Sequence, residues 1–148
     1  MCRIKCSNLQ KNTKIKNSTN SPFWDEVFFF NFNTSASELF NEFIEFEVYD
    51  ASSMLRNALI GSFKIDIGYI ADEPFHSLRS KWLLLADSED FSAGAKGYLK
   101  VSVNVLGPGD EVPVNFLHIP QFIVTNYINS FFILKPNPVT EGDDDIEK

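Results

Sequence analysis

The chain reads as an all-β protein, an antiparallel sandwich. Short runs that alternate apolar and polar residues recur at close spacing, with turn residues between them and little room for helices. Fifteen of the 148 residues are Phe, and aromatic side chains suit half-buried pleated surfaces better than disorder. Hydrophobic residues make up 44% of a chain of one-domain length, enough to fill a core.

The first run is CRIKC (2–6), with Cys2, Ile4 and Cys6 on one face and Arg3 and Lys5 on the other. Its two cysteines stand ~13 Å apart along an extended strand, too far for an unstrained disulfide. They read as small buried thiols of a reducing compartment. The next run is NTKIK (12–16), with Thr13 and Ile15 opposite Lys14 and Lys16. Antiparallel pairing with both apolar sets inward puts Arg3, Lys5, Lys14 and Lys16 on one outer face. Like charges on neighbouring strands repel, so the cluster points to an anionic ligand; a merely soluble hairpin is the alternative.

VFFFNFN (27–33) is the third strand, and SASELFNE carries Ser35 and Glu38 at capping-box spacing for one helical turn. IEFEVYD (44–50) sets Ile44, Phe46 and Val48 against Glu45, Glu47 and Tyr49, and the alternation resumes in IGSFKIDI (60–67). Residues 51–60 therefore connect two strands. KWLLL (81–85) and YLKVSVNVL (98–106) follow, the latter with Leu99, Val101, Val103 and Val105 inward and Lys100, Ser102 and Asn104 outward. GPGDEVP closes the domain with Gly107, Pro108, Gly109 and Pro113. The expected division is a partial domain over 1–113 and an atypical extension over 114–148.

That extension holds a 19-residue apolar stretch, 116–134, interrupted by His118, Pro120, Gln121, Thr125, Asn126, Asn129 and Ser130. A membrane-spanning helix, a segment docked on the sandwich or a lipid surface, and a poorly ordered tail all stay open. The EGDDDIEK end reads as solvated linker.

Charge excludes some functions. The net charge is −7, yet Arg3, Lys5, Lys11, Lys14 and Lys16 precede the first acid, Asp25. An acidic whole argues against nucleic-acid binding, while the basic start leaves room for a local anion-binding face. No secretory signal pattern opens the chain. Nor is there a nucleophile elbow, a zinc-binding His pair or a phosphate-cradling Gly loop, and His76 and His118 stand 42 positions apart. His76 reads as a surface or loop-packing residue, and catalysis is not expected.

SPFWDEVFFFNF resembles the strand pattern of C2 domains, in which Pro and Trp lead through an acid into alternating Phe. ELFNEFIEFEVYD, DFSAGAKGYLK and VLGPGDE resemble the ferlin family more specifically, and its second C2 domain most of all, over about Asn17 to Pro113. The resemblance implies a Greek-key C2 sandwich within a modular, tail-anchored protein of vesicle fusion and membrane repair, peripheral to membrane on the cytoplasmic side. It also implies a strand and a metal-binding loop ahead of CRIKC, so the domain reads as N-terminally truncated, with an open edge and poor stability alone. NFLHIPQFIVTNYINSFFILKPNP is foreign to the family pattern.

Against that pattern the connector after Asp50 becomes a calcium loop. Its matching positions are Asp50, Ser52 and Asn57, of which only the first is a carboxylate. Calcium wants six to eight oxygens, so the site reads as degenerate and any binding as weak. The loop tip keeps Met54, Leu55 and Arg56. Burial of both apolar side chains in lipid would contribute about 3–5 kcal/mol before opposing terms; packing back on the sandwich is the alternative. C2 domains often use the first strand pair for phosphoinositide headgroups, which agrees with the basic hairpin. The expectation is a non-catalytic module for anionic phospholipid, with other ferlin domains or a protein as further partners and a lipid-free interaction scaffold as the rival.

Overall fold

A computed structural model describes residues 1–51, 58–107, 110 and 128–136, with the backbone alone for Phe91 and for 128–136. The strands are β1 (Cys2–Cys6), β2 (Leu9–Asn12), β3 (Val27–Phe32), β4 (Phe43–Asp50), β5 (Ala58–Asp66), β6 (Ser77–Ala86), β7 (Ala95–Val105) and β8 (Ile128–Pro136). Two short helices, α1 (Ala36–Leu39) and α2 (Ile67–Asp72), follow β3 and β5.

The strand order is β2-β1-β4-β5-β6-β7-β8-β3. Between β5 and β6 the pairing shrinks to one position, Ser62 opposite Ala86. The strands thus divide into two four-stranded sheets that meet at a corner and face each other across one core. Ile4, Ile44 and Phe46 come from the first sheet, and Phe30, Leu83, Leu85, Leu99, Val101 and Val103 from the second, all in a single buried cluster. Alternation along each strand dictates these inward sets, as the antiparallel sandwich reading requires.

The corner has a steric condition. A Cβ on Gly61 would lie 3.1 Å from the Ala86 carbonyl oxygen, the Leu85 Cβ and the Lys96 Cβ. Glycine lets the two sheets approach where their last backbone pairing occurs.

Three elements differ from the sequence expectation. The second strand is Leu9–Asn12 rather than 12–16, because a tight turn at Ser7 and Asn8, with Ser7 at φ 51°, sets Cys6 opposite Leu9 and Arg3 opposite Asn12. Thr13 stays tied to β1, its N–H donating to the Cys2 carbonyl and its Oγ1 accepting from the Cys2 N–H, both at 2.9 Å. Lys14 and Lys16 follow beyond the strand. The fifth strand ends at Asp66 instead of Ile67, and Ile67, Ile70 and Ala71 form the buried stripe of α2. Gly68 permits that helix, since a Cβ there would meet the Phe40 carbonyl oxygen at 2.8 Å.

The third difference concerns the extension. The open edge expected from an absent first strand is not found between β3 and β7, because residues 128–136 lie there as β8, parallel to both neighbours. Residues 114–127 and 137–148 lie outside the described residues. Among the described residues no helix is long and apolar enough to cross a membrane. The expected capping box is present, with Ser35 Oγ accepting from the Glu38 N–H at 3.3 Å and Glu38 Oε2 accepting from the Ser35 N–H at 3.1 Å.

Two outcomes follow from this packing. Gly61→Val should destabilise the domain by about 1–3 kcal/mol, the usual cost of overpacking, measured by urea unfolding; an unchanged midpoint would mean the corner is not tight. Burial pushes the Cys2 and Cys6 thiols from 9.0 up to about 12. A pKa raised by folding gives stability that is complete below the unfolded value and lost as pH climbs through the folded one. Unfolding free energy should therefore decline from about pH 9 towards pH 12, and Cys2→Ala with Cys6→Ala should flatten the decline.

Candidate functional site

The outer face of β1 and β4 is built by register. Arg3 stands opposite Glu47 and Lys5 opposite Glu45, so each cation of β1 meets an acid of β4 on the flank away from β2. Lys5 Nζ lies 2.5 Å from Glu47 Oε1 and 3.7 Å from Glu45 Oε2. Arg3 Nη1 lies 3.6 Å from Glu47 Oε2 and donates to the Tyr49 hydroxyl at 3.1 Å, while its guanidinium sits 4.7 Å over the Tyr49 ring. Tyr49 in turn donates to Glu47 Oε2 at 2.8 Å.

Glu47 is thus a half-hidden hub: its side chain is only 10% exposed and takes three charge-assisted or hydroxyl contacts. The hydrogen bond that Lys5 donates to Glu47, with the charges of Glu47 and Glu45, raises the Lys5 pKa above the ordinary lysine value despite opposing desolvation. Desolvation first, and then the bond to Glu47, raises the Tyr49 pKa. Paired so closely, Arg3 and Lys5 do not present bare positive charge.

Lys14 and Lys16 belong to different surroundings. Both are exposed, and among the described residues no carboxylate stands within ion-pair distance of either side chain. The Lys14 backbone N–H donates to Glu26 Oε1 at 2.8 Å, fixing the chain as it leaves Thr13. Lys16 then lines a cavity of about 330 Å³ with Met1, Asp50, Ile60, Lys96 and Tyr98. Four cations on one flat face were expected; register instead leaves two in ion pairs and carries one to the end of the sandwich where β4 stops.

Asp50 is the last residue of β4 and pairs with Ala58, the first of β5. This pairing sets the two ends of the 51–57 connector side by side at the cavity. Ser52, Met54, Leu55, Arg56 and Asn57 lie outside the described residues. Among the described residues no group of three His, Cys, Asp or Glu side chains could hold a metal ion. Lys96 and Tyr98 are cavity residues that sequence reading overlooked. Lys96 reaches the site because β7 begins at the same end, its ammonium 3.9 Å from Asp87; the outward alternation of Tyr98 and Lys100 was the available signal.

Comparison with known proteins puts this geometry beside relatives. The C2 domain family matches residues 1–85, and the FerI (NUC094) domain family matches residues 86–126. Myoferlin of Homo sapiens and of Mus musculus are each 54% identical over 101 residues, and myoferlin of Xenopus tropicalis is 51% identical over 102. These alignments cover 68–69% of this chain and 5% of each relative.

With one carboxylate in the expected ligand positions, calcium at physiological levels should not raise the melting temperature measurably. A site filled to 100 times its dissociation constant would add about 2.7 kcal/mol, easily seen. A calcium-dependent rise that Asp50→Asn abolishes would overturn the degenerate-site reading.

Proposed function

The chain belongs to the C2 domain family and is a ferlin-family fragment, and on that premise we propose that it is a non-catalytic module that docks on anionic phospholipid. In this reading it resembles the second C2 domain of a ferlin whose parent acts in vesicle fusion or membrane repair. The module works at the cytoplasmic face of a membrane, in a parent anchored by its tail. Domain 1–113 carries the docking surface and 114–148 follows as extension and linker, save that 128–136 returns to the sheet.

The observation that carries the proposal is the cavity end, where exposed Lys16 and the ammonium of Lys96 flank the strand ends that bear the 51–57 connector. Two lysines at a cavity that Asp50 also lines, Lys96 of them already near Asp87, stand beside a loop that includes Met54, Leu55 and Arg56 and can pair phosphate with ammonium groups while apolar side chains enter the headgroup region. Arg3 and Lys5 add to the field at longer range, damped by Glu45 and Glu47. Phosphoinositide headgroups, with several phosphates, suit such a site best, and calcium contributes little to it.

A second reading, a scaffold that binds protein and no lipid, draws on the outer face of β6 and β7. There Trp82, Leu84 and Tyr98 are each more than 40% exposed, and the Lys100 ammonium lies 5.4 Å from the Trp82 ring. Such an aromatic surface suits a protein partner, including another ferlin domain.

Liposome binding separates the readings. At about 1 kcal/mol per basic residue near an anionic surface, Lys14→Glu with Lys16→Glu should lower affinity for phosphoinositide vesicles about tenfold or more and flatten its salt dependence. Lys5→Gln should cost less, because its charge is already engaged by Glu47. Unchanged binding in the folded double variant would remove this end of the domain from the mechanism, and no vesicle binding by the original chain would leave the scaffold.

A further inference from the structure

Among the described residues Phe75 is the most exposed large apolar side chain, at 82%, with Tyr69 next at 54%. It sits in the turn Pro74–His76, just ahead of β6. Phe75 and His76 both take left-handed backbone angles, φ 59° and 49°, a conformation that disfavours bulky side chains and that Gly adopts freely. Two bonds hold the turn against that strain. The His76 N–H donates to the Glu73 carbonyl at 2.9 Å, and the His76 ring donates from Nδ1 to the Ala71 carbonyl. Apolar residues scattered over a surface are ordinary; one held outward by a strained, hydrogen-bonded turn has the form of an anchor.

The knob carries charge at its base. Asp72 is exposed and Glu73 half-buried immediately before the turn, and the Arg79 guanidinium lies 5.6 Å from the Phe75 ring.

The other end of the same strand holds a socket. β6 runs from Ser77 to Ala86, about 30 Å at the usual rise per residue, and Leu85 near its far end lines the cavity of about 330 Å³. Val48, Ile60 and Tyr98 join Leu85 in the apolar part of its wall, and Lys16, Lys96 and Asp50 bring its charges. An apolar cavity of about 150 Å³ is enough to take up benzene, so a phenyl group has room here. The signs match as well. Asp72, Glu73 and Arg79 at the knob are the inverse of Lys16, Lys96 and Asp50 at the cavity, and Lys96 is held only loosely by Asp87, at 3.9 Å.

We propose that Phe75 of one copy of this chain inserts into the cavity of a second copy, with Asp72 and Glu73 meeting Lys16 and Lys96, and Arg79 meeting Asp50. Knob and socket lie at opposite ends of β6, so the contact is heterologous and repeats as an open head-to-tail chain. An anionic membrane suits Phe75 less well, because Asp72 and Glu73 flank it and like charges repel. The socket is the cavity that lipid docking also uses, but the inference rests on the shape and charge of that cavity and not on its binding lipid.

Sedimentation velocity of the full chain, in the absence of lipid, tests it. The original chain should form species that grow with concentration. Phe75→Gly relieves the left-handed strain, so it should fold with an undiminished melting temperature while association weakens about tenfold or more, as loss of an anchor residue does. Lys16→Glu with Lys96→Glu should weaken association from the socket side. Each variant keeps one competent half, so an equimolar mixture of the two should form dimers and go no further. Leu84→Ser, a change at an exposed apolar residue elsewhere, should associate as the original does. A monomeric original chain, a mixture that stays monomeric or grows past dimers, equal weakening by Leu84→Ser, or loss of folding in Phe75→Gly would overturn the proposal. Binding to phosphoinositide vesicles should be the same for Phe75→Gly as for the original chain, whether strong or absent; a fall there with sedimentation unaltered would make Phe75 a membrane anchor and refute the self-contact.

Discussion

The domain depends on the backbone pairing of β7 along both of its edges. Ala95–Val105 bonds to β6 on one side, and its Leu99–Val105 part bonds to β8 on the other, so that part of the ladder is paired on both edges. That position lets Leu99, Val101 and Val103 be almost completely buried without orphaning main-chain groups, each of which costs about as much to bury unpaired as an apolar side chain gains. The opposite face of β7 is covered too. Ser102 is hidden there because its hydroxyl accepts the Ser80 N–H at 2.8 Å, at a bulge where β6 skips from Leu78 to Lys81 and Ser80 takes φ 50°. A strand so enclosed fixes its neighbours, and the cavity end inherits its position from where β7 begins.

Much of this was legible because side-chain alternation reports faces directly. CRIKC and the Leu99–Val105 set occupy the faces that period-two reading assigns them, and the Ser35–Glu38 box marks a real helix start. What alternation does not report is pairing. The NTKIK stretch alternates at 12–16 as a strand should, but the Ser7–Asn8 turn selects the partners, and a two-residue turn brings Leu9–Asn12 alongside instead. Similarly, IDIGYIAD alternates up to Ile67, where the spacing of Ile67, Ile70 and Ala71 passes from two to the helical repeat. The handover is visible only with the contact between Gly68 and Phe40 in view.

The same limit governs the site. Arg3 and Lys5 look like a basic face when β1 is read with the strand after it, yet β1 has two neighbours, and the second, some forty residues on, is β4. Its Glu45 and Glu47 share the outward face of IEFEVYD, a fact available from sequence, but their alignment with Lys5 and Arg3 comes from the sheet order. Ionic character of a sheet face belongs to the row across strands, and a row is a tertiary quantity. Lys16 shows the converse. It gains access to the cavity mouth because the chain leaves β1 at Thr13 and is no longer held to a strand face.

The boundary between the two family matches falls at residues 85 and 86, the last two residues of β6. The physical unit does not divide there. β7 lies wholly beyond the boundary but pairs with β6 over most of its length and supplies Leu99, Val101, Val103 and Val105 to the one core. Without it the inner faces of β1 and β4, with Ile4, Ile44 and Phe46 fully buried, would lose Leu99, Val101 and Val103 from the core they share. The Gly61 corner would lose Lys96 as well, and the cavity would lose both Lys96 and Tyr98. Fold and candidate site therefore require the second matched region, and no coherent unit of this chain ends before β7.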